Sequence, residues 1–130
     1  LEKGTWIISD RFFDSTKVYQ GYARGLKMKM LDEVNRFSCR GVKPDLTIVL
    51  DIPPELGIRR STGRAAKEEF ENDRFDSETL QFHTAVRNGF LKLAEQEPER
   101  IKIIAAGGTV EEVARAVREC VNHELGLDLL

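Results

Sequence analysis

The sequence predicts an α/β protein built on a parallel β-sheet. Residues 45–52 and 101–105 are short runs rich in β-branched residues, and each is followed by a helical pattern. A third apolar run, residues 6–8, precedes the first helical region. Strands that alternate with helices are typical of a parallel sheet covered by helices. At 130 residues, the chain is long enough for a single hydrophobic core.

The first strand and the first helical region lie at the start of the chain. Trp6, Ile7 and Ile8 predict a buried strand, and Asp10 and Arg11 follow at its carboxyl end, where α/β proteins bind ligands. Helix formation is predicted from Ser15, a good helix starter, to about Phe37, with interruptions at two glycines. Apolar residues at three- and four-residue steps predict the core face, namely Leu26, Met30, Val34 and Phe37.

Residues 45–52 are the clearest strand, and their continuous apolar character predicts burial on both faces. Pro53 stops this strand, and Pro54 can open a helix that runs from Glu55 to about Ser61. A longer helix is predicted to begin after Asp76 or Ser77 and to end before Pro98, with a core stripe of Phe82, Val86, Phe90 and Leu93.

The last strand and helix are joined by a glycine turn. Residues 101–105 form the strand, residues 106–108 form the turn, and Thr109 with Glu112 has the spacing of a capping box. The helix that follows is predicted to bury Val113, Val117, Val121 and Leu125 and to end at Gly126.

Composition excludes several functional classes. The net charge is −2, so no general attraction to nucleic acid is expected, and no apolar run is long enough to cross a membrane. Cys39 and Cys120 lack the spacing of a metal or redox site, which fits a reduced cytoplasmic protein. No partner ligand stands at metal-binding spacing from His83.

Two blocks of sequence resemble the thymidylate kinases, which phosphorylate dTMP with ATP. The first reads Asp10-Arg11-Phe12-x-x-Ser15-Thr16-x-Val18-Tyr19-Gln20-Gly21, and the second spans residues 43–54. The resemblance implies a parallel-sheet P-loop kinase fold with three α/β/α layers. It also implies that residues 6–8, 45–52 and 101–105 are the third, fourth and fifth strands, in the sheet order 2-3-1-4-5. The last two would then be neighbours.

The same resemblance implies roles for the first block. Arg11 would bind the acceptor phosphate, and its planar, permanent charge suits that role. Tyr19 would pack where a ribose 2′-hydroxyl would sit, and Asp10 would hold a water of hydrated Mg²⁺. The thymine pocket would be lined by Phe12, Ser15, Thr16 and Gln20. From the residues alone, a structural ion pair at a strand end is the alternative to a phosphate site.

A lid and a donor site are implied further along the chain. The lid would cover about residues 59–76 and place arginines over the transferring phosphate; the candidates are Arg60, Arg64 and Arg74, without a choice among them. Composition alone favours an ordinary solvated surface there, and it is the position after the fourth strand that favours a lid. The turn with Gly107, Gly108 and Thr109 would border the ATP base, or would be a simple turn between strand and helix.

No P-loop pattern of the form Gly-x-x-x-x-Gly-Lys-Ser/Thr occurs in the sequence. We therefore expect residues 1–130 to be the C-terminal two-thirds of one thymidylate kinase domain, incomplete at the N-terminus and inactive alone. A homodimer through residues 15–37 is implied by the family. Two alternatives remain open: another nucleoside monophosphate or deoxynucleoside kinase, and a nucleotide-binding or structural remnant without catalysis.

Overall fold

The computed structural model describes residues 4–65 and 80–129. Within them, strands β1 (Thr47–Asp51) and β2 (Ile101–Ala105) form a parallel pair, with Thr47 opposite Ile101 and Asp51 opposite Ala105. Parallel neighbours need a crossover between them, and the described parts of the segment between β1 and β2 form two helices. The prediction that these two strands are neighbours in a parallel α/β fold is confirmed.

The helices follow the predicted order. They are α1 (Phe13–Thr16), a π-helical segment (Lys17–Tyr22), α2 (Met28–Ser38), α3 (Pro54–Ala65), α4 (Leu80–Gln96) and α5 (Val110–Leu125). The capping box of Thr109 and Glu112 is present, and Gly126 ends α5 in the left-handed conformation at φ 61°. The predicted cap at Asp76 or Ser77 lies outside the described residues.

The core lies where α4 and the π-helical segment pack beside β2. Val18 and Leu93 are almost fully buried, and Val86 and Ile101 complete the cluster. The stripe predicted for α4 is thereby confirmed, with Phe82 and Phe90 half-buried at its edge. Gly89 permits this packing, because a Cβ there would lie only 2.9 Å from the Cβ of Tyr22.

The predicted opening strand is wrong. Residues 6–8 have no regular secondary structure, and Ile8 is 97% exposed. A strand needs a neighbour for its backbone groups, and among the described residues none pairs with this segment. The first helix also begins earlier than predicted, at Phe13 rather than Ser15, because the Ser15 N–H already donates to the Phe12 carbonyl at 3.0 Å.

Three predictions of burial are wrong or only partly met. The stripe predicted to be the core face of α2 is exposed, and α2 instead buries Leu31 and Asn35. Strand β1 is not buried on both faces, since Leu50 is 52% exposed. The apolar stripe of α5 is only half-buried. Periodicity identifies an apolar face but not whether another element covers it. The exposed members of the predicted stripe are Leu26, which precedes α2, and Met30, Val34 and Phe37 within it.

Helix α3 continues beyond the predicted end near Ser61 to Ala65. Within the described part of the chain, no helix has the length and apolar character needed to cross a membrane.

Candidate functional site

The Arg11 turn is the first feature of the site. Residues 10 and 11 form a bend, and Arg11 has φ 64°, a left-handed conformation that is uncommon for residues other than glycine. The Ser9 hydroxyl holds this turn by donating to the Arg11 carbonyl at 2.9 Å. Strained backbone of this kind concentrates at binding sites.

The Arg11 side chain lies over an aromatic ring. Its guanidinium carbon is 5.2 Å from the centre of the Tyr19 ring, which is a cation–π distance. Arg11 is exposed, and among the described residues no carboxylate pairs with it. The structure thus brings Arg11 and Tyr19 together and leaves the cation accessible to an anion from solvent.

Tyr19 joins the Arg11 turn to helix α4. Its ring centre is 6.0 Å from that of Phe82 and 6.5 Å from that of Phe90, which it meets edge to face. The guanidinium carbon of Arg24 lies 5.0 Å from the Phe82 ring centre. Tyr19 also belongs to the π-helical segment, a conformation that often marks functional sites. Two cations therefore flank one aromatic cluster.

The other residues of the first block lie around this turn. Phe12 is 39% exposed and its ring centre is 5.3 Å from that of Phe13. Asp10 is exposed at the bend. The remaining members are half-buried along α1 and the π-helical segment: Ser15, Thr16 and Gln20.

The carboxylate chemistry fits Mg²⁺ only in an indirect role. No cluster of three or more metal-binding side chains occurs within residues 4–65 and 80–129. Mg²⁺ keeps several waters and is usually held by one or two carboxylates together with substrate phosphates. Asp10 alone is therefore compatible with a contact through water.

A second polar feature lies at the carboxyl end of β1. Arg87 of α4 grips Asp51 with two hydrogen bonds, from Nε at 2.6 Å and from Nη2 at 2.9 Å. These bonds lower the pKa of Asp51, against the opposing effect of burial, and raise the pKa of Arg87. This edge of a parallel sheet is where α/β proteins bind ligands.

Arg60 connects α3 to the turn after β2. Its guanidinium donates to the carbonyls of Ala106 at 2.8 Å, Gly107 at 2.9 Å and Gly108 at 3.4 Å. The Thr109 N–H donates to the Glu112 carboxylate at 2.8 Å. The turn is thus held from both sides, and Arg60 lies beside the turn predicted to border the ATP base.

Two other predicted lid arginines cannot be located. The side chain of Arg64 and all of Arg74 lie outside the described residues. A shallow cavity of about 610 Å³ lies elsewhere, on the outer side of α2, between Glu33 and Arg40. None of its lining residues belongs to the Arg11 turn.

Sequence reasoning missed the most buried polar cluster. Asp14 is 4% exposed and Arg100 is 7% exposed, and two bonds of 2.8 Å join their side chains. One signal was present: Asp14 is four residues before Val18 and therefore lies on the same, buried side of the first helix. A buried acid on an apolar face needs a cationic or hydrogen-bonding partner, but the sequence does not show that Arg100 is that partner.

The fold and the polar edge define a class. Parallel strands joined through helices, with arginines at the carboxyl-end edge and at an adjoining turn, place the chain among the parallel-sheet α/β proteins.

The sequence pattern of the family described as Thymidylate kinase matches residues 1–117. A thymidylate kinase of Marinomonas sp. (strain MWYL1) is 48% identical over 119 residues, which are 92% of this chain and 54% of that protein. That of Desulfosudis oleivorans is 46% identical over 116 residues, 88% of this chain and 54% of its own. The relative in Maridesulfovibrio salexigens is 46% identical over 132 residues, with shares of 100% and 61%.

The chain therefore belongs to the thymidylate kinase family. It spans about half the length of the curated relatives from Marinomonas and Desulfosudis, namely 54% of each.

Proposed function

We propose that the protein to which residues 1–130 belong transfers the γ-phosphoryl group of ATP to dTMP. The main support is the Arg11 turn, where an exposed guanidinium lies 5.2 Å from the ring of Tyr19 within the block shared with the family. A guanidinium suits a bidentate grip on a phosphate, and an adjacent ring can exclude a ribose hydroxyl.

In this proposal, the acceptor is held by the first block. Arg11 fixes the dTMP phosphate and Tyr19 packs against the deoxyribose. Phosphoryl transfer depends mainly on positioning and on charge neutralisation, so fixing the acceptor phosphate in line with the donor lowers the barrier directly. The thymine base is contacted by Phe12, Ser15, Thr16 and Gln20.

The donor side is the turn after β2 together with the lid. Backbone groups of Gly107, Gly108 and Thr109 border the ATP base, in a turn that Arg60 holds through three carbonyls. Arg64 and Arg74 are the further candidates for neutralising charge on the transferring group. When bound, Mg²⁺ neutralises phosphate charge, and Asp10 would hold one of its waters.

The test is steady-state phosphorylation of dTMP by the full-length gene product that carries residues 1–130. Arg11→Ala is expected to lower kcat/KM for dTMP about 10- to 200-fold, since a hydrogen bond to a charged group contributes about 1.5–3 kcal/mol. The matched control is Arg118→Ala, which removes an exposed arginine of α5. Unchanged efficiency in Arg11→Ala would exclude the phosphate contact.

A panel of acceptors separates dTMP from the other nucleoside monophosphates. We expect dTMP to be preferred over its ribose counterpart, and Tyr19→Ala to reduce that preference, because the ring no longer fills the space beside the sugar. A better turnover with a ribonucleotide would assign the protein to another monophosphate kinase. Absence of turnover with every acceptor would favour a non-catalytic nucleotide-binding protein.

We further propose that residues 1–130 supply the acceptor, lid and base-side parts of one kinase domain. The two thiols, Cys39 and Cys120, form no disulfide and fit a cytoplasmic protein. The exposed stripe on α2 supports a homodimer, because Met30 is 46%, Val34 51% and Phe37 88% exposed on one helix face. Sedimentation of Phe37→Ser should show a monomer where the unmodified protein is a dimer.

A further inference from the structure

Among residues 4–65 and 80–129, one ion pair has two buried side chains, and its acidic member, Asp14, lies three residues from Arg11. Arg100 donates to both carboxylate oxygens of Asp14 at 2.8 Å, and its Nη1 also donates to the Thr47 hydroxyl at 2.7 Å. That hydroxyl donates to Asp14 at 3.1 Å. Burying two charges is costly unless both are well hydrogen-bonded; here Asp14 accepts three hydrogen bonds and Arg100 donates four.

This pair joins three separate parts of the fold. Asp14 lies in the first turn of α1, Thr47 begins β1, and Arg100 immediately precedes β2. A second carboxylate, Glu97, accepts from Arg100 Nε at 3.0 Å and pairs with Lys43 at 2.6 Å. Arg100 is therefore fixed from two sides, and it in turn fixes the start of α1 against the sheet.

The Arg11 turn is held on one side by this anchor. Arg11 has φ 64°, and the chain passes from it through Phe12 directly into α1. Ser9 supplies a bond on the other side, to the Arg11 carbonyl. An arginine keeps a left-handed backbone conformation only where neighbouring structure restrains it. Helix α1, which the buried pair holds in place, provides that restraint.

We propose that Asp14 is a positioning residue, which, through Arg100 and Thr47, holds the Arg11 turn in the conformation that binds the acceptor phosphate. The proposal rests on the proposed function and deepens it. It states that the affinity of the acceptor site for dTMP depends on a buried ion pair that does not contact the substrate. Without the pair, the turn relaxes, and acceptor binding must restore it.

The experiment measures KM for dTMP, KM for ATP and kcat in the full-length protein. In the double variant Asp14→Leu/Arg100→Met, both charges are replaced by apolar groups, so no unpaired charge is left buried. KM for dTMP is expected to rise about tenfold, equivalent to about 1.4 kcal/mol, while KM for ATP changes less than about twofold. An unchanged KM for dTMP, or equal rises for both substrates, would overturn the proposal.

The matched control is a second ion pair away from the turn. Lys102 of β2 pairs with Glu124 of α5 at 2.9 Å. Both side chains are partly buried, with exposed fractions of 25% and 21%. Lys102→Met/Glu124→Leu should leave KM for dTMP unchanged. A rise as large as that of the Asp14 pair would show general loosening and would overturn the proposal.

A milder variant serves if the double variant does not fold. Thr47→Val keeps the side-chain volume but removes the hydroxyl that bonds both charged partners, so KM for dTMP should rise about two- to threefold. Full retention of KM would contradict the proposal.

If the wild-type protein does not turn over dTMP, the proposed function is refuted. The role of the Asp14–Arg100 pair is then tested by measuring anion binding at the Arg11 turn. The probe is then inorganic phosphate, followed through the fluorescence of Trp6, the single tryptophan. The double variant should bind phosphate about tenfold more weakly than wild type. Equal affinities would overturn the proposal.

Discussion

Helix α4 crosses the π-helical segment at Gly89, and the contact leaves no space for a side chain. An alanine Cβ at position 89 would lie 2.9 Å from the Cβ of Tyr22, 3.0 Å from Cγ1 of Val18 and 3.2 Å from Cδ2 of Tyr22. These neighbours are a fully buried valine and a residue of the opposing segment, so they cannot move without shifting the backbone. Gly89→Ala is therefore expected to destabilise the protein.

The magnitude follows from comparison with Gly57→Ala in α3. There a Cβ would meet only Cγ2 of Ile52, at the ordinary distance of 3.5 Å. Both substitutions gain about 1 kcal/mol of helix propensity, but only Gly89→Ala incurs the overpacking cost of about 1–3 kcal/mol. The difference in unfolding free energy between the two variants should therefore be about 1–3 kcal/mol.

The assay is urea unfolding followed by circular dichroism, with linear extrapolation to water. Gly57→Ala should unfold at a higher urea concentration than wild type, and Gly89→Ala should unfold at a clearly lower urea concentration than Gly57→Ala. A Gly89→Ala variant as stable as Gly57→Ala would refute the close approach of α4 to the π-helical segment.

Three further predictions concern the polar network and the turn after β2. Arg100→Ala should cost about 3–5 kcal/mol in unfolding free energy, because Asp14 is left buried and unpaired; chemical denaturation measures it. Hydrogen bonding from Arg100 lowers the pKa of Glu97 from 4.5 to about 2, so its contribution to stability is present above pH 4.5 and is lost as the pH falls towards 2. Glu97→Gln should flatten the pH dependence of the unfolding free energy in that window, and an unchanged slope would contradict the assignment. Arg60→Ala removes the bonds to residues 106–108, so KM for ATP should rise more than KM for dTMP; the reverse pattern would place Arg60 on the acceptor side.

Strands β1 and β2 and the two caps of α5 were predictable because their signals are local. Residues 101–105 carry β-branched side chains between turn residues, and the structure places β2 at those positions. Thr109 and Glu112 satisfy each other's backbone groups three residues apart, and Gly126 adopts a conformation that other residues avoid. Each of these features depends on chemistry within a few neighbouring residues.

Features that depend on distant residues were not predictable. Asp14 and Arg100 are 86 positions apart, and nothing in their spacing indicates that they meet. Arg87 follows the buried Val86 on α4 and reads as an ordinary surface cation, yet it grips Asp51 of β1. The periodicity of α2 predicted the wrong buried face: its stripe is exposed, and Leu31 and Asn35 are buried instead, because exposure depends on which element covers the helix.

The site itself depends on backbone conformations that residue patterns do not specify. Arg11 was predicted to end a strand, where its backbone would be extended, but it adopts φ 64° within a bend. Tyr19 was predicted on a regular helix, but the π-helical segment widens each turn, so ring positions inferred from α-helical spacing no longer apply. Both departures fall within the block that resembles the family, and both determine where the guanidinium and the ring meet. A nucleotide pocket inferred from regular strand and helix geometry would therefore place this arginine incorrectly, even though the residue itself was identified from the sequence.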